Sequence, residues 1–266
     1  MSEEAFDLDR IGGRNALRAL ISEVLAAGED ALKLYSRGAA ARVQAKPDRS
    51  PVTEADRAVE ERIRAYLAKH FPMAAFLGEE TGSANGSSGL RFIVDPIDGT
   101  RAFIRGLSTW SILVGLEAEG EPVVGIAYMP AAEELYVGVR GGGADCNGRP
   151  LHVSAVSSLD AALVCHGSLQ QFTDESLGPV LTRLGEQVYT CRGLADFDGY
   201  RQVLHGRADA MVDPSIKPYD VCPAAVLVRE AGGRFTSLSG EATIFGGSGL
   251  ASNGHVHEAL VALVAG

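Results

Sequence analysis

The sequence predicts an α/β (α+β) protein, a layered αβαβα sandwich with a mainly antiparallel sheet domain over residues 1–154 and a smaller α/β domain over 155–266. Two observations carry this prediction. From about residue 92 to 147, short apolar runs follow one another with glycine and proline between them, as in an antiparallel meander. After residue 154, strand-like runs alternate with helical patterns, which favours a more parallel sheet covered by helices.

In the first half, apolar side chains recur at helical spacing before the first strand. Thr53 is a predicted N-cap with Asp56 in the first turn of its helix. Gly78-Glu79-Glu80 follows a short strand, and the Gly/Ser-rich stretch after it predicts a loop. The predicted elements are helices over 8–35 and 53–70, a strand over 74–77, a loop over 81–89, and strands over 92–94, 111–117, 123–128 and 135–139.

In the second half, the same criteria predict alternating strands and helices. The strands cover 162–166, 188–191 and 210–212, and the helices cover 172–184, 198–205 and 220–231. His255 and His257 follow Asn253 near the start of a further helix and are expected to be solvated.

Charge and composition exclude several classes of function. A formal net charge of −10 argues against a nucleic-acid partner. The apolar runs are far shorter than the roughly 18 residues of a membrane span, and the acidic start lacks the features of a signal peptide. Four scattered cysteines without a CxxC pair indicate free thiols in a reducing compartment. A cytoplasmic protein is therefore expected.

The most informative segment is Asp95-Pro96-Ile97-Asp98-Gly99-Thr100, which follows an apolar strand. Side chains of a regular strand alternate between faces, so Asp95 and Asp98 would diverge. Pro96 interrupts the strand and allows both carboxylates to converge. Two anions held together need a cation between them, or one of them must stay protonated. Mg²⁺ is the simplest cation, because it prefers oxygen ligands. The segment predicts a magnesium site.

A short helix is predicted directly after this segment, with Gly99 and Thr100 at its start. The free N–H groups of a helix start can bind an anion. A cation site beside an anion site suggests phosphate chemistry. Each of these residues also has an ordinary structural explanation. Asp-Pro and Asp-Gly are common turn dipeptides, and Asp220 could be a helix cap. Lys46 and Glu79 could be solvated loop residues.

Together, these motifs resemble the inositol monophosphatase family of magnesium-dependent phosphatases. The resemblance spans nearly the whole chain, and its most specific elements surround Asp95 and Asp220. The matching segments are 46–56, Gly78-Glu79-Glu80, Asp95–Thr100, Gly143–Gly148, and Asp220 leading into 229–233.

The resemblance implies two Mg²⁺ ions, or three. Glu79, Asp95 and the Ile97 carbonyl would hold one ion; Asp95, Asp98 and Asp220 would hold the second. Glu79 and Thr100 would orient the attacking water, and Asp56 would support a further metal or water. Gly99 and Thr100 would bind phosphate oxygens through their N–H groups. The family also implies a homodimer.

The substrate is expected to be a small phosphorylated metabolite. By resemblance, two segments containing Ala195, Asp196 and Asp213 would contact its alcohol part together with Asp220. A buried carboxylate gains most from a cationic partner, so Asp196 and Asp213 favour an amine-bearing ester, histidinol phosphate.

The stretch from Asp98 to Leu107 and the run Lys217–Asp220 also resemble the histidinol-phosphatase branch. Inositol 1-phosphate and 3′-phosphoadenosine 5′-phosphate remain open as substrates. A non-catalytic protein that binds a phosphorylated metabolite remains open as a different class of function.

Overall fold

The computed structural model describes residues 4–36, 44–45 and 51–266. Lys46 lies outside these residues. The helices are α1 (Gly13–Ser36), α2 (Glu54–His70), α3 (Thr100–Ile104), α4 (Leu169–Asp174), α5 (Gly178–Gln187), α6 (Asp196–Leu204), α7 (Pro218–Glu230) and α8 (His257–Ala265). The strands are β1 (Gln44–Ala45), β2 (Pro51–Val52), β3 (Ala75–Gly78), β4 (Gly82–Ala84), β5 (Leu90–Asp98), β6 (Ser111–Ala118), β7 (Glu121–Met129), β8 (Glu134–Val139), β9 (Gly143–Cys146), β10 (Arg149–Pro150), β11 (Leu163–His166), β12 (Thr190–Arg192), β13 (Ala210–Pro214), β14 (Arg234–Thr236) and β15 (Ser248–Ser252).

The larger sheet has eight strands in the order β10-β9-β8-β7-β6-β5-β3-β4. Neighbours from β5 to β10 pair antiparallel, as the predicted meander requires, and β3 pairs with β5 in parallel. The parallel pair places the ends of β3 and β5 at the same edge of the sheet. Glu79 and the Asp95–Thr100 segment therefore emerge side by side.

The smaller sheet has five strands in the order β12-β11-β13-β15-β14. Its first three strands are parallel, as the alternating pattern predicts. β15 and β14 add antiparallel strands at the other edge, beyond the predicted elements. The sheet is therefore mixed.

The two sheets stack with helices into five layers, which confirms the predicted αβαβα architecture. Helices α1 and α2 cover one face of the larger sheet. Helices α6 and α7 lie between the sheets, where α7 contacts β6 and β7 on one side and β14 and β15 on the other. Helices α4, α5 and α8 pack in an apolar cluster on the outer face of the smaller sheet. The division of the chain after residue 154 stays a prediction.

Three predicted elements differ from the structure. The helix over 172–184 is wrong, because the chain forms α4 and α5 separately; Ser176 has a left-handed φ of 59° and Gly178 begins α5. The helix over 8–35 is interrupted at Gly12 and Gly13, where φ is 87° and 79°. The loop over 81–89 contains the edge strand β4, which pairs with β3.

His257 corrects a further prediction, since it is fully buried whereas His255 is exposed. Its ring nitrogens lie 2.8 Å from Ser252 Oγ and 3.0 Å from Thr236 Oγ1. Burial lowers the pKa of His257 to about 4, so the ring is neutral near pH 7. The residue therefore has a structural role between α8 and the smaller sheet.

No helix among the described residues is both long and apolar enough to cross a membrane.

Candidate active site

A β-bulge at Pro96 brings Asp95 and Asp98 to the same pocket. Asp95 pairs with Leu113 and Asp98 with Ser111, so two residues of β5 oppose one residue of β6. Without the bulge, residues three apart would point to opposite faces. Both carboxylates are buried and both line one pocket of about 640 Å³.

The pocket collects almost every residue that the sequence singled out. Asp56 is the exception among the predicted site residues: it lies behind the pocket wall and does not line it. The predicted residues that line the pocket are Glu79, Asp95, Ile97, Asp98, Gly99, Thr100, Ala195, Asp196, Asp213 and Asp220.

Asp56 supports the pocket through Thr100. It is fully buried in the first turn of α2, where its Oδ2 accepts the Thr53 N–H at 2.8 Å and the Thr53 hydroxyl at 2.5 Å. Its other oxygen, Oδ1, lies 3.1 Å from Thr100 Oγ1. Thr100 Oγ1 also lies 3.0 Å from the Ile97 carbonyl oxygen. The Thr100 hydroxyl is thus held between two acceptors.

Asp98 and Asp220 reach the pocket from different elements. Asp98 Oδ2 accepts the Ser111 hydroxyl and the Phe197 N–H, each at 2.8 Å, which ties the larger sheet to the start of α6. Asp220 is in the first turn of α7, and its Oδ2 accepts the Lys217 N–H at 2.6 Å. Asp220 therefore caps its helix and lines the pocket at once.

Asp196 opens α6 with a left-handed φ of 58°, unusual for a residue with a side chain. The helix has no side-chain cap hydrogen bond, so the Asp196 carboxylate is not used for capping. It faces Gly99: a Cβ on Gly99 would lie 3.1 Å from Asp196 Oδ2. Position 99 therefore requires glycine, both because its φ is 81° and because a side chain would crowd Asp196.

Asp213 is buried at the end of β13. Its Oδ1 accepts the Gln171 side-chain N–H at 3.1 Å, and its Oδ2 accepts the Tyr200 hydroxyl at 3.3 Å. No cation pairs with it among the described residues.

Burial and mutual repulsion raise the pKa of the clustered carboxyls. For Asp95 the main cause is burial, followed by the charges of Glu79 and Asp98. Burial is also the main cause for Asp98, whose pKa is raised well above its ordinary value. Burial likewise raises the pKa of Asp213 to about 8, of Asp220 to about 7 and of Asp196 to about 6. An oxygen-lined pocket of this charge fits hard divalent cations such as Mg²⁺.

These raised pKa values predict an unusual dependence of stability on pH. In protein stripped of divalent cations with EDTA, we expect the melting temperature to rise as the pH falls from 8 to 6.5. The folded carboxyls of Asp213 and Asp220, with pKa values of about 8 and 7, take up protons in this range, whereas unfolded ones, near 3.8, do not. The unfolded His257 ring, with an ordinary pKa of 6.5, takes up protons only at the lower end of this range and opposes the rise there.

Thermal unfolding followed by circular dichroism measures the effect. The Asp213→Asn variant should lose much of the pH dependence, and saturating Mg²⁺ should stabilise the wild type most at pH 8. A melting temperature that falls on acidification over this range would contradict the assigned protonation.

Sequence patterns did not reveal several pocket residues. Arg101 and Arg105 lie at the exposed rim, and Ser168, Gln171 and Tyr200 line the wall. The two arginines belong to the Asp98–Leu107 stretch that resembles the histidinol-phosphatase branch, but no role was assigned to them, whereas the three wall residues share no motif and are brought together by the fold alone. Glu60 did carry a signal: it lies one helical turn after Asp56 on α2. Its buried carboxylate accepts the N–H groups of Glu80 at 2.8 Å and Thr81 at 2.6 Å and so fixes the turn that carries Glu79.

Comparison with known proteins places the chain in a family. Residues 14–265 match the model of the inositol monophosphatase family. The chain is 40% identical over 231 residues to the histidinol-phosphatase of Mycobacterium tuberculosis, covering 85% of this chain and 89% of that protein. It is 34% identical over 251 residues to the inositol-1-monophosphatase of Rhizobium meliloti, covering 92% and 94% respectively.

Solved structures agree with this assignment. The crystal structure of the extragenic suppressor protein suhB from Bartonella henselae superposes with a TM-score of 0.87 at 29% identity, covering 94% of this chain and 98% of that chain. This chain therefore belongs to the inositol monophosphatase family.

Proposed function

We propose that this protein is a Mg²⁺-dependent phosphomonoesterase that hydrolyses histidinol phosphate to histidinol and phosphate. The observation that carries the proposal is that two sets of acidic residues line the same pocket. Glu79, Asp95, Asp98 and Asp220 form a set suited to cations. Asp196 and Asp213 add two more buried carboxyl groups, and of the two arginines at the rim only Arg101 acts on the pKa of Asp196. The similarity to a histidinol-phosphatase supports the same substrate.

Glu79, Asp95 and the Ile97 carbonyl are the proposed ligands of one Mg²⁺. Asp95, Asp98 and Asp220 are the proposed ligands of a second, and Asp56 would support a third ion or a water. When bound, the cations neutralise the phosphate charge, lower the pKa of the attacking water and stabilise the leaving alkoxide.

The remaining residues orient the reactants. The Thr100 hydroxyl is fixed by Asp56 and the Ile97 carbonyl, so its oxygen presents a lone pair toward the pocket to receive a hydrogen bond from the attacking water. Glu79, which directly follows β3, would accept a second hydrogen bond from that water. The phosphate would lie at the start of α3, where Gly99 and Thr100 offer N–H groups.

The alcohol part would face Asp196 and Asp213. Burial raises the pKa of both carboxyls, which means that the charged forms lack sufficient solvation. The ammonium of histidinol phosphate supplies the missing positive charge, and a charge-assisted hydrogen bond to it is about twice as strong as a neutral one.

Inositol 1-phosphate is the second candidate substrate. Its hydroxyls could donate to the same carboxylates, and the similarity to an inositol-1-monophosphatase favours it. The cytoplasmic location and the homodimer stay predictions.

A substrate panel tests the proposal. The purified protein would be assayed with histidinol phosphate, inositol 1-phosphate and 3′-phosphoadenosine 5′-phosphate, in Mg²⁺ and in EDTA. We expect kcat/KM to be at least ~10-fold higher for histidinol phosphate, a difference of about 1.4 kcal/mol, and phosphate release to stop in EDTA. Preference for another ester would reassign the substrate. Binding of all three esters without phosphate release would indicate a non-catalytic protein.

A further inference from the structure

A second cluster of metal-ligating side chains lies outside the pocket. Glu134 begins β8, Cys146 ends β9 and His205 follows the last residue of α6. One ligand atom from each lies within 4.8 Å of the other two. Cys146 is buried, whereas Glu134 and His205 are partly exposed, so the cluster opens to solvent on one side. None of the three lines the candidate active site.

The donor set differs in kind from that of the active-site pocket. The pocket offers oxygen atoms alone, which suit Mg²⁺. The second cluster combines a thiol, an imidazole and a carboxylate, the mixture of sulfur, nitrogen and oxygen donors that Zn²⁺ binds in tetrahedral geometry. Three protein ligands leave one position for a water or another side chain.

We propose that Glu134, Cys146 and His205 form a second metal site, which binds Zn²⁺ or a divalent cation of similar softness. Binding replaces the thiol proton of Cys146, which passes to solvent, with a metal–sulfur bond. The imidazole binds through Nε2 and the carboxylate through one oxygen.

The surroundings hold these donors in place. The Tyr136 hydroxyl is fully buried and lies 2.5 Å from Glu134 Oε2 and 3.0 Å from His205 Nε2. It therefore holds the carboxylate and the imidazole close to each other. Burial lowers the pKa of His205, which keeps the ring neutral and its nitrogen able to bind a metal.

Arg201 is compatible with a bound cation. Its guanidinium lies 3.1 Å from Glu134 Oε2 and 3.0 Å from Asp198 Oδ1. A carboxylate has two oxygens, so Glu134 can bind a metal through Oε1 while Oε2 keeps its contact with Arg201. Such outer partners orient metal-ligating carboxylates in many sites.

The location links the site to α6. This helix starts at Asp196 in the active-site pocket and ends beside His205. The Phe197 ring packs edge-on against Tyr136 at a centroid distance of 5.3 Å. A cation at the cluster would therefore fasten the end of α6 to the β8–β9 hairpin and raise the melting temperature.

Cobalt(II) titration of the full chain tests the proposal, with excess Mg²⁺ present to occupy the active-site carboxylates. We expect one equivalent of Co²⁺ to produce the near-ultraviolet charge-transfer absorption of a thiolate–cobalt bond. Zn²⁺ should then displace the Co²⁺ and abolish this absorption. All four cysteines are free thiols. Cys191→Ser, which removes a different thiol that is partly exposed, is the control and should keep the absorption.

Cys146→Ser should abolish the absorption, and His205→Gln should weaken Co²⁺ binding at least ~10-fold. His205 is partly exposed, so its variant keeps the test valid if Cys146→Ser folds poorly. Asp95→Asn should keep the full signal, which separates this site from the active site. Absence of the absorption in the wild type, or its persistence in Cys146→Ser, would overturn the proposal.

Discussion

Asp95→Asn is expected to lower kcat/KM for histidinol phosphate by at least ~100-fold in saturating Mg²⁺, about 2.7 kcal/mol. Asp95 is the one residue that we propose as a ligand of both cations, so a neutral side chain there weakens both ion sites at once. Asparagine has the same size, and its oxygen can still accept the Ile97 N–H that Asp95 Oδ1 accepts at 3.0 Å. The bulge should therefore survive the substitution.

Steady-state kinetics over a Mg²⁺ titration measures this loss. Asp145→Asn is the matched control: Asp145 lies on β9, outside the pocket, and accepts the Gly148 N–H at 2.7 Å. It should retain wild-type activity. In EDTA, Asp95→Asn should melt at a higher temperature than the wild type, because asparagine is neutral without the proton that the folded Asp95 carboxyl must take up among its acidic neighbours. Retention of more than a tenth of the activity would refute the bridging assignment.

The core of the site was predictable because its signals are local. Pro96 between two carboxylates indicates a distortion of the strand, and the structure shows it as a bulge between Asp95 and Asp98. Thr53 followed three residues later by Asp56 indicates a helix start, and the structure shows both capping hydrogen bonds. In each case the chemistry and the geometry depend on residues within a few positions of one another.

The substrate side was predictable only by resemblance. Asp213 takes its two hydrogen bonds from Gln171 on α4 and Tyr200 on α6, which are distant in sequence. The break between α4 and α5 depends on a left-handed serine, Ser176, that no propensity favours. His257 is buried because β14 and β15 supply its two hydroxyl partners, and neither strand has a strong sequence pattern.

Asp196→Asn is expected to weaken kcat/KM for histidinol phosphate by roughly one to two orders of magnitude, about 1.5–3 kcal/mol. The proposed reason is loss of a charge-assisted hydrogen bond to the substrate ammonium. Asparagine tolerates the left-handed backbone that residue 196 adopts, and no cap hydrogen bond of α6 depends on the carboxylate. The substitution therefore changes the charge while the start of the helix is kept.

The measurement compares histidinol phosphate with a neutral ester, inositol 1-phosphate, on the same variant. Asp160→Asn, which removes an exposed carboxylate outside the pocket, is the control for net charge. Turnover of the neutral ester by Asp196→Asn should fall by less than ~3-fold, about 0.65 kcal/mol, because the proposed metal ligands and Thr100 are unchanged.

The contrast between the two esters decides the role of Asp196. A pocket that contains a polar group meant for a charged partner discriminates strongly against a substrate that lacks the partner, whereas an apolar pocket does so weakly. Equal losses on both esters would show that Asp196 shapes the junction of Gly99 with α6, where the Phe197 N–H also holds Asp98. Loss confined to histidinol phosphate would show that this carboxylate recognises the ammonium, and that substrate choice in this pocket is made by charge.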